Sequence, residues 1–148
     1  MKLIIMRGLP GSGKSSRAKE LAGDQGLVFS TDDFFMEGTK YNFDPNKLPN
    51  AHAWNQARVA QAMQEKHPLI VVDNTNTRLW EMQAYVKLAD HHGYELQLGL
   101  PTTPWQADVV ECAAKNAHGV PLESILKMKH GYETMYNFDC VRNAVRPF

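Results

Sequence analysis

The sequence predicts an α/β protein in three layers, a mostly parallel central sheet with helices on both faces. Three observations predict it. Short apolar runs recur at helix-length intervals, the intervals carry helical periodicity, and a glycine-rich segment joins the first run to the first helical stretch.

The first run, Leu3-Ile4-Ile5-Met6, is uninterrupted, as is Leu69-Ile70-Val71-Val72. Strands buried on both faces of a parallel sheet read this way. Leu27-Val28-Phe29 is a shorter strand candidate. At 94–100, Tyr94, Leu96, Leu98 and Leu100 alternate with Glu95, Gln97 and Gly99, the pattern of a strand with one wetter face. Residues 51–66 read as a helix from Ala and Gln propensity more than from periodicity. Leu79, Met82, Val86 and Ala89 form one helical stripe, Trp105, Val109, Cys112, Ala113 and Asn116 a second, and Leu122, Ile125 and Leu126 begin a third. Residues 34–50 match neither period, and an irregular stretch of that length in a compact domain is usually functional or disordered.

A chain of 148 residues suits one domain over 1–148, and a hydrophobic share of 43% supplies a core and excludes a disordered chain. Sixteen Lys and Arg balance 16 Asp and Glu. That excludes a coat for duplex nucleic acid, which needs surplus cations to displace counterions. It leaves room for an enzyme that touches a few phosphates at one strand end. Residues 115–148 hold a small excess of 5 basic over 3 acidic groups. Cys112 and Cys140 are too few for a disulfide scaffold, and no Cys/His spacing suggests zinc. The opening MKLIIMRGLPGSGK has too short an apolar run for a signal peptide or a span. The expectation is a reduced, cytoplasmic chain with no membrane attachment and no obligate protein partner.

Residues 8–15, Gly8-Leu9-Pro10-Gly11-Ser12-Gly13-Lys14-Ser15, fit G-x-x-x-x-G-K-[ST] in the required setting, after a buried strand and before a helix. Gly11 and Gly13 let backbone N–H groups turn toward a phosphate, and the following helix adds its positive end. Lys14 is the mobile cation for the β- and γ-phosphates, and Ser15 offers a hard oxygen to Mg²⁺. This P-loop, extended to Ser16, is the predicted nucleotide site, with ATP and Mg²⁺ as the expected cofactors.

Phosphoryl transfer needs positioning and charge stabilisation more than covalent chemistry. Carboxylates at strand ends on the P-loop side are therefore candidates. Asp32 reads as the general base, with a turn or helix cap as its alternative, and Asp33 as a cap. Asp73 ends the 69–72 strand and is a metal candidate beside Ser15, an orienter of the acceptor, or a cap for the turn 73–77. In the loop at about 34–50, Phe34, Phe35, Tyr41 and Phe43 offer either a stacking wall for a base or ordinary packing. Trp54, Trp80 and Trp105 read as packing within helices, and His91-His92 as a helix end before Gly93. Residues 115–121 link two helices as a lid, with Lys115 and His118 as its cations and a plain helix–helix turn as the alternative.

These tracts together resemble the polynucleotide-kinase-like P-loop kinases. The likeness rests on GLPGSGKSS, STDDFF, YNFDPNKLPNAHAWNQAR, VVDNTNTRLWEMQAYVKLADHHGYEL and KNAHGVPLESILKMKHGYE, from residue 3 to about 136. The resemblance implies a P-loop kinase fold and ATP-dependent phosphorylation of the 5′-hydroxyl of DNA or RNA, at a single-stranded or nicked end, in nucleic acid repair. It places the base at Asp32 and implies acceptor contacts among Asp32, Phe35, Tyr41, Asp73 and Arg78. Phe35 stands where some relatives carry an arginine, and Lys115 and His118 stand in place of lid arginines. Lys lacks the bidentate fork and His is charged only part of the time near neutrality, so a slower or more pH-sensitive enzyme is expected. A small-molecule kinase for a sugar, nucleoside or antibiotic, and an ATP-binding module without catalysis, are the rival expectations.

Overall fold

Strand β1 (Lys2–Met6) is apolar on both faces, and the computed structural model, which describes residues 1–147, buries both. Leu3 and Ile5 join one core cluster and Ile4 and Met6 another, all at most 3% exposed. Helix α1 (Lys14–Ala22) follows the P-loop and leads to β2 (Leu27–Phe29). A 3-10 turn (Thr31–Phe35) precedes a small hairpin, β3 (Met36–Glu37) and β4 (Lys40–Tyr41). Helix α2 (Leu48–Gln64), β5 (Leu69–Val72), a 3-10 turn (Leu79–Met82) and α3 (Gln83–His92) come next. Strand β6 (Glu95–Gly99), α4 (Val109–Lys115), α5 (Leu122–His130) and α6 (Phe138–Arg142) complete the described chain.

The sheet order is β2-β5-β1-β6, with all its pairings parallel. Helix α1 covers one face through Ala18 and Ala22. The other face packs on α2, α3 and α6 through Val59, Met63, Tyr85, Val86 and Val141. This is the three-layer architecture expected. Helices α4 and α5 form a separate pair with a core of their own, in which Leu9 of the P-loop joins Cys112 and Ile125. Among the described residues, no helix is long and apolar enough to cross a membrane.

Three expectations need correction. The segment 34–50 is largely structured: it holds a 3-10 turn, the hairpin, and the first turn of α2, where Pro49 is tolerated because early helical N–H groups need no intrahelical acceptor. Its periodic signal is absent because its elements are two to five residues long. The stripe from Trp105 to Asn116 is helical only from Val109. Asp108 caps the helix, accepting from Val110 N at 3.1 Å and Glu111 N at 3.2 Å, and Trp105 lies outside it. Helix α2 does present one buried stripe, Ala51, Asn55, Val59, Ala62 and Met63, which a polar Asn and two alanines conceal in the sequence.

Candidate functional site

Register decides what meets at the site. Phe29 and Ile5 both pair with Val72, so β2, β5 and β1 end level. The segments leaving those ends (the P-loop, 30–33 and 73–77) must therefore share one edge of the sheet. Backbone bonds lace them together: Asp73 N donates to Phe29 O at 2.9 Å and Gly8 N to Thr75 O at 3.0 Å. Buried Arg7 adds a clamp, donating to the carbonyls of Asn76 (2.8 Å), Thr77 (3.0 Å) and Glu133 (2.8 Å).

The P-loop is pinned from outside. Gly11 and Gly13 have φ of +78° and +91°, which favour glycine. A Cβ at Gly11 would overlap the Cys112 carbonyl, and one at Gly13 would lie 2.6 Å from Thr103 Cγ2. Gly11 therefore admits α4 as well as shaping the loop. The Trp105 indole N–H donates to Gly11 O at 3.0 Å and the Thr103 hydroxyl to Ser12 O at 2.6 Å. Lys14 Nζ donates to Asp73 Oδ1 at 2.6 Å, with the two side chains only 11% and 6% exposed.

A cavity of about 760 Å³ opens over this loop. Leu9, Pro10, Gly11, Gly13, Lys14, Ser15 and Ser16 line it. Gly8 and Ser12 do not: the Gly8 N–H is committed to Thr75, and the Ser12 hydroxyl is buried behind the loop without a partner. Asp32, Tyr41, His52 and Glu81 also line it, as does the turn 115–121 between α4 and α5.

Asp32 sits on a turn fixed from within. Ser30 Oγ accepts from Asp32 N at 3.3 Å, and Asn74 Oδ1 accepts from Thr31 N at 2.9 Å. Arg58 donates to Ser30 O at 3.1 Å, Asn55 Oδ1 at 2.7 Å and Asp33 Oδ2 at 3.2 Å while stacking on Trp54 at 3.8 Å. Asp33 is thus consumed by a surface pair, and Asp32 is left facing the cavity. Tyr41 OH donates to Asp32 Oδ1 at 3.2 Å, and His118 Nε2 lies 3.8 Å from Asp32 Oδ2. Burial holds the His52 imidazole below its ordinary pKa, against the opposing charges of Glu81 and Asp32.

The lid turn is stapled rather than slack. The Asn116 side chain donates to the carbonyls of Ala113 (2.8 Å) and Val120 (3.1 Å) and accepts from Val120 N at 2.8 Å. Lys115 lies 4.6 Å over the Trp105 ring and 3.7 Å from Glu111.

Three expected acceptor contacts do not line the cavity: Asp73, buried and paired with Lys14, is the first, and Phe35 and Arg78 are the others. Phe35 is buried against Phe34, Tyr41 and Phe43, so it is packing for the hairpin. Arg78 is exposed, its guanidinium beside Gly131 and its N–H bonded to Glu81 at 2.8 Å. Trp105 packs against the α4–α5 core as expected and, beyond that, its indole N–H bonds the P-loop, a contact the sequence does not show. Asn74, His52 and Arg58 were missed. Asn74 lay within the turn read as cap-rich, whereas His52 and Arg58 carried no local signal.

The chain matches known proteins in sequence and in fold. A family model described as an AAA domain, AAA_33, matches residues 3–135. NEDD4-binding protein 2 of Homo sapiens is 40% identical over 147 residues, 98% of this chain and 8% of that protein. The 2′,3′-cyclic-nucleotide 3′-phosphodiesterase of Mus musculus is 28% identical over 135 residues, 88% of this chain and 31% of that protein. The chain thus spans less than a third of either relative. A chain of the Pnkp1/Rnl/Hen1 RNA repair complex shares the fold, with a TM-score of 0.68 at 22% identity over 88% of this chain and 43% of that one.

Proposed function

The chain belongs to the AAA_33 family of AAA domains, and on that premise we propose that it is an ATP- and Mg²⁺-dependent kinase of polynucleotide 5′-hydroxyl ends. The observation that carries the reading is Asp32, a carboxylate fixed by its backbone and facing the cavity that Lys14 and the lid also line. A volume of about 760 Å³ is in the range of nucleotide-sized sites.

The residues present fit Mg²⁺. Ser15 lines the cavity next to Lys14 and would offer its hydroxyl to the ion, while Asp73, buried behind the lining, holds Lys14 through Oδ1. When bound, Mg²⁺ supplies charge neutralisation on the phosphates.

In this reading Asp32 accepts the proton of the 5′-hydroxyl as its oxygen attacks the γ-phosphorus. The bond from that phosphorus to the β-bridging oxygen breaks, and ADP leaves with the electron pair. Lys14 stabilises charge on the β- and γ-oxygens, and Lys115 and His118 add positive charge from above. A balanced net charge fits a grip on few phosphates and a shallow salt dependence.

The test is transfer of labelled γ-phosphate to an acceptor panel. Label on a 5′-hydroxyl oligonucleotide is expected. Label only on a sugar or nucleoside would replace the acceptor class, and ATP binding with no transfer to any alcohol would make the chain a non-catalytic module.

A further inference from the structure

Tyr41, in the cavity wall, makes four contacts. Its hydroxyl donates to Asp32 Oδ1 at 3.2 Å. Its ring centroid lies 4.0 Å from that of His118, tilted by 33°. Phe43 lies near-parallel to it at 6.3 Å and 9°, and Phe35 meets it edge-on at 6.2 Å. A ring so engaged is not a free platform for a nucleobase, which favours packing over stacking among the two roles its sequence position leaves open.

We infer that Tyr41 is a positioning residue: it fixes which Asp32 oxygen meets the acceptor, and it is the seat on which the lid docks through His118. This rests on the kinase reading of the site. A carboxylate free to rotate about its last torsion presents either oxygen; with Oδ1 held by Tyr41, Oδ2 is the one turned toward the incoming hydroxyl. His118 stands 3.8 Å from that same Oδ2, so the docked lid covers the place where the acceptor oxygen must arrive. The acceptor therefore shares the space with the lid histidine, and alignment of the base and closure of the lid become one event.

Two further features make the device work as a unit. The Asn116 staple binds both ends of the turn, so His118 is carried by a loop that holds its shape. Burial, followed by the nearby Asp32 charge, raises the Tyr41 hydroxyl well above its ordinary pKa. It therefore stays protonated, and a donor, across the pH range in which the protein works.

Tyr41→Phe keeps the ring and removes the donor; Tyr41→Leu removes both. With wild-type ATP binding, Tyr41→Phe is expected to lower kcat for transfer about 10- to 100-fold, the range for losing a hydrogen bond to a charged group, and to leave the acceptor KM unchanged. In the presence of a non-hydrolysable ATP analogue, Tyr41→Leu is expected to speed amide exchange of lid residues 117–120, whereas Tyr41→Phe is not. A Tyr41→Phe enzyme with wild-type kcat overturns the positioning role, and unchanged lid exchange in Tyr41→Leu overturns the docking role. A wild-type protein that phosphorylates no alcohol removes the kinase reading and the positioning role with it, while the exchange measurement still decides the docking.

Discussion

The two halves of the cavity are built differently. The nucleotide half comes from one short segment at a strand end, residues 9–11 and 13–16, backed by an ion pair whose side chains are 11% and 6% exposed. The acceptor half is assembled from segments distant in sequence, and its central pair, His118 and Asp32, is 35% and 48% exposed. On the proposed reading the triphosphate is the same in every turnover, so a rigid, buried cradle serves it. An acceptor must enter and leave, so its side is closed by exposed contacts of modest strength that can be exchanged for contacts with substrate.

The sharpest way to break this contrast is Lys14→Met. It leaves Asp73 buried without its partner, a change that typically costs about 3–5 kcal/mol. Urea unfolding is expected to show that loss, together with loss of binding of a fluorescent ATP analogue; a variant as stable as the parent would mean that the pair is not buried in solution. Next comes Gly11→Ala, whose methyl meets the Cys112 carbonyl at a φ of +78°. Strain of this kind costs on the order of 1–3 kcal/mol, and the thermal midpoint should fall accordingly, whereas Gly119→Ala, with open space around its Cβ, tests the left-handed backbone alone.

Trp105→Phe removes one hydrogen bond to the P-loop, worth about 1 kcal/mol net. Nucleotide affinity is expected to drop severalfold by titration calorimetry, with acceptor KM unaltered. The smallest effect concerns the acceptor wall. His52 has a folded pKa below its ordinary value of 6.5, so the unfolded chain binds more protons between the two values. Stability attributable to His52 is full above about 6.5 and is lost as pH falls toward the folded value. His52→Gln should flatten that part of the stability–pH curve, and an unchanged slope would assign it to other groups.

The same contrast explains what could be read from the sequence. Continuous runs such as Leu69-Ile70-Val71-Val72 and the segment 8–15 carry their information locally, and both the parallel sheet and the P-loop followed from them. Asp32, Lys115 and His118 were found as isolated candidates, and the structure brings them to one cavity. Their relation was not legible, because it depends on the Phe29–Val72 register and on a lid that folds back across 86 positions to reach Asp32. For Phe35 the sequence leaves stacking and packing open, because an aromatic that packs a hairpin and one that stacks a base look alike in composition; the structure shows packing, not the acceptor contact the resemblance implies. Arg78 was misread because nothing local showed that its side chain leaves the cavity for Gly131. Arg58 and Asn55, which hold the Asp32 turn through a buried polar network, belong to a helix whose periodicity they disguise.

The central claim is that Asp32 activates the acceptor in a cavity where ATP is held independently of it. The direct measurement is γ-phosphate transfer to a 5′-hydroxyl oligonucleotide by wild type and Asp32→Asn, with ATP affinity measured on the same preparations. Loss of a general base is expected to lower transfer by roughly 10²–10⁴-fold while ATP binds as before. Equal turnover by the two proteins would contradict the account.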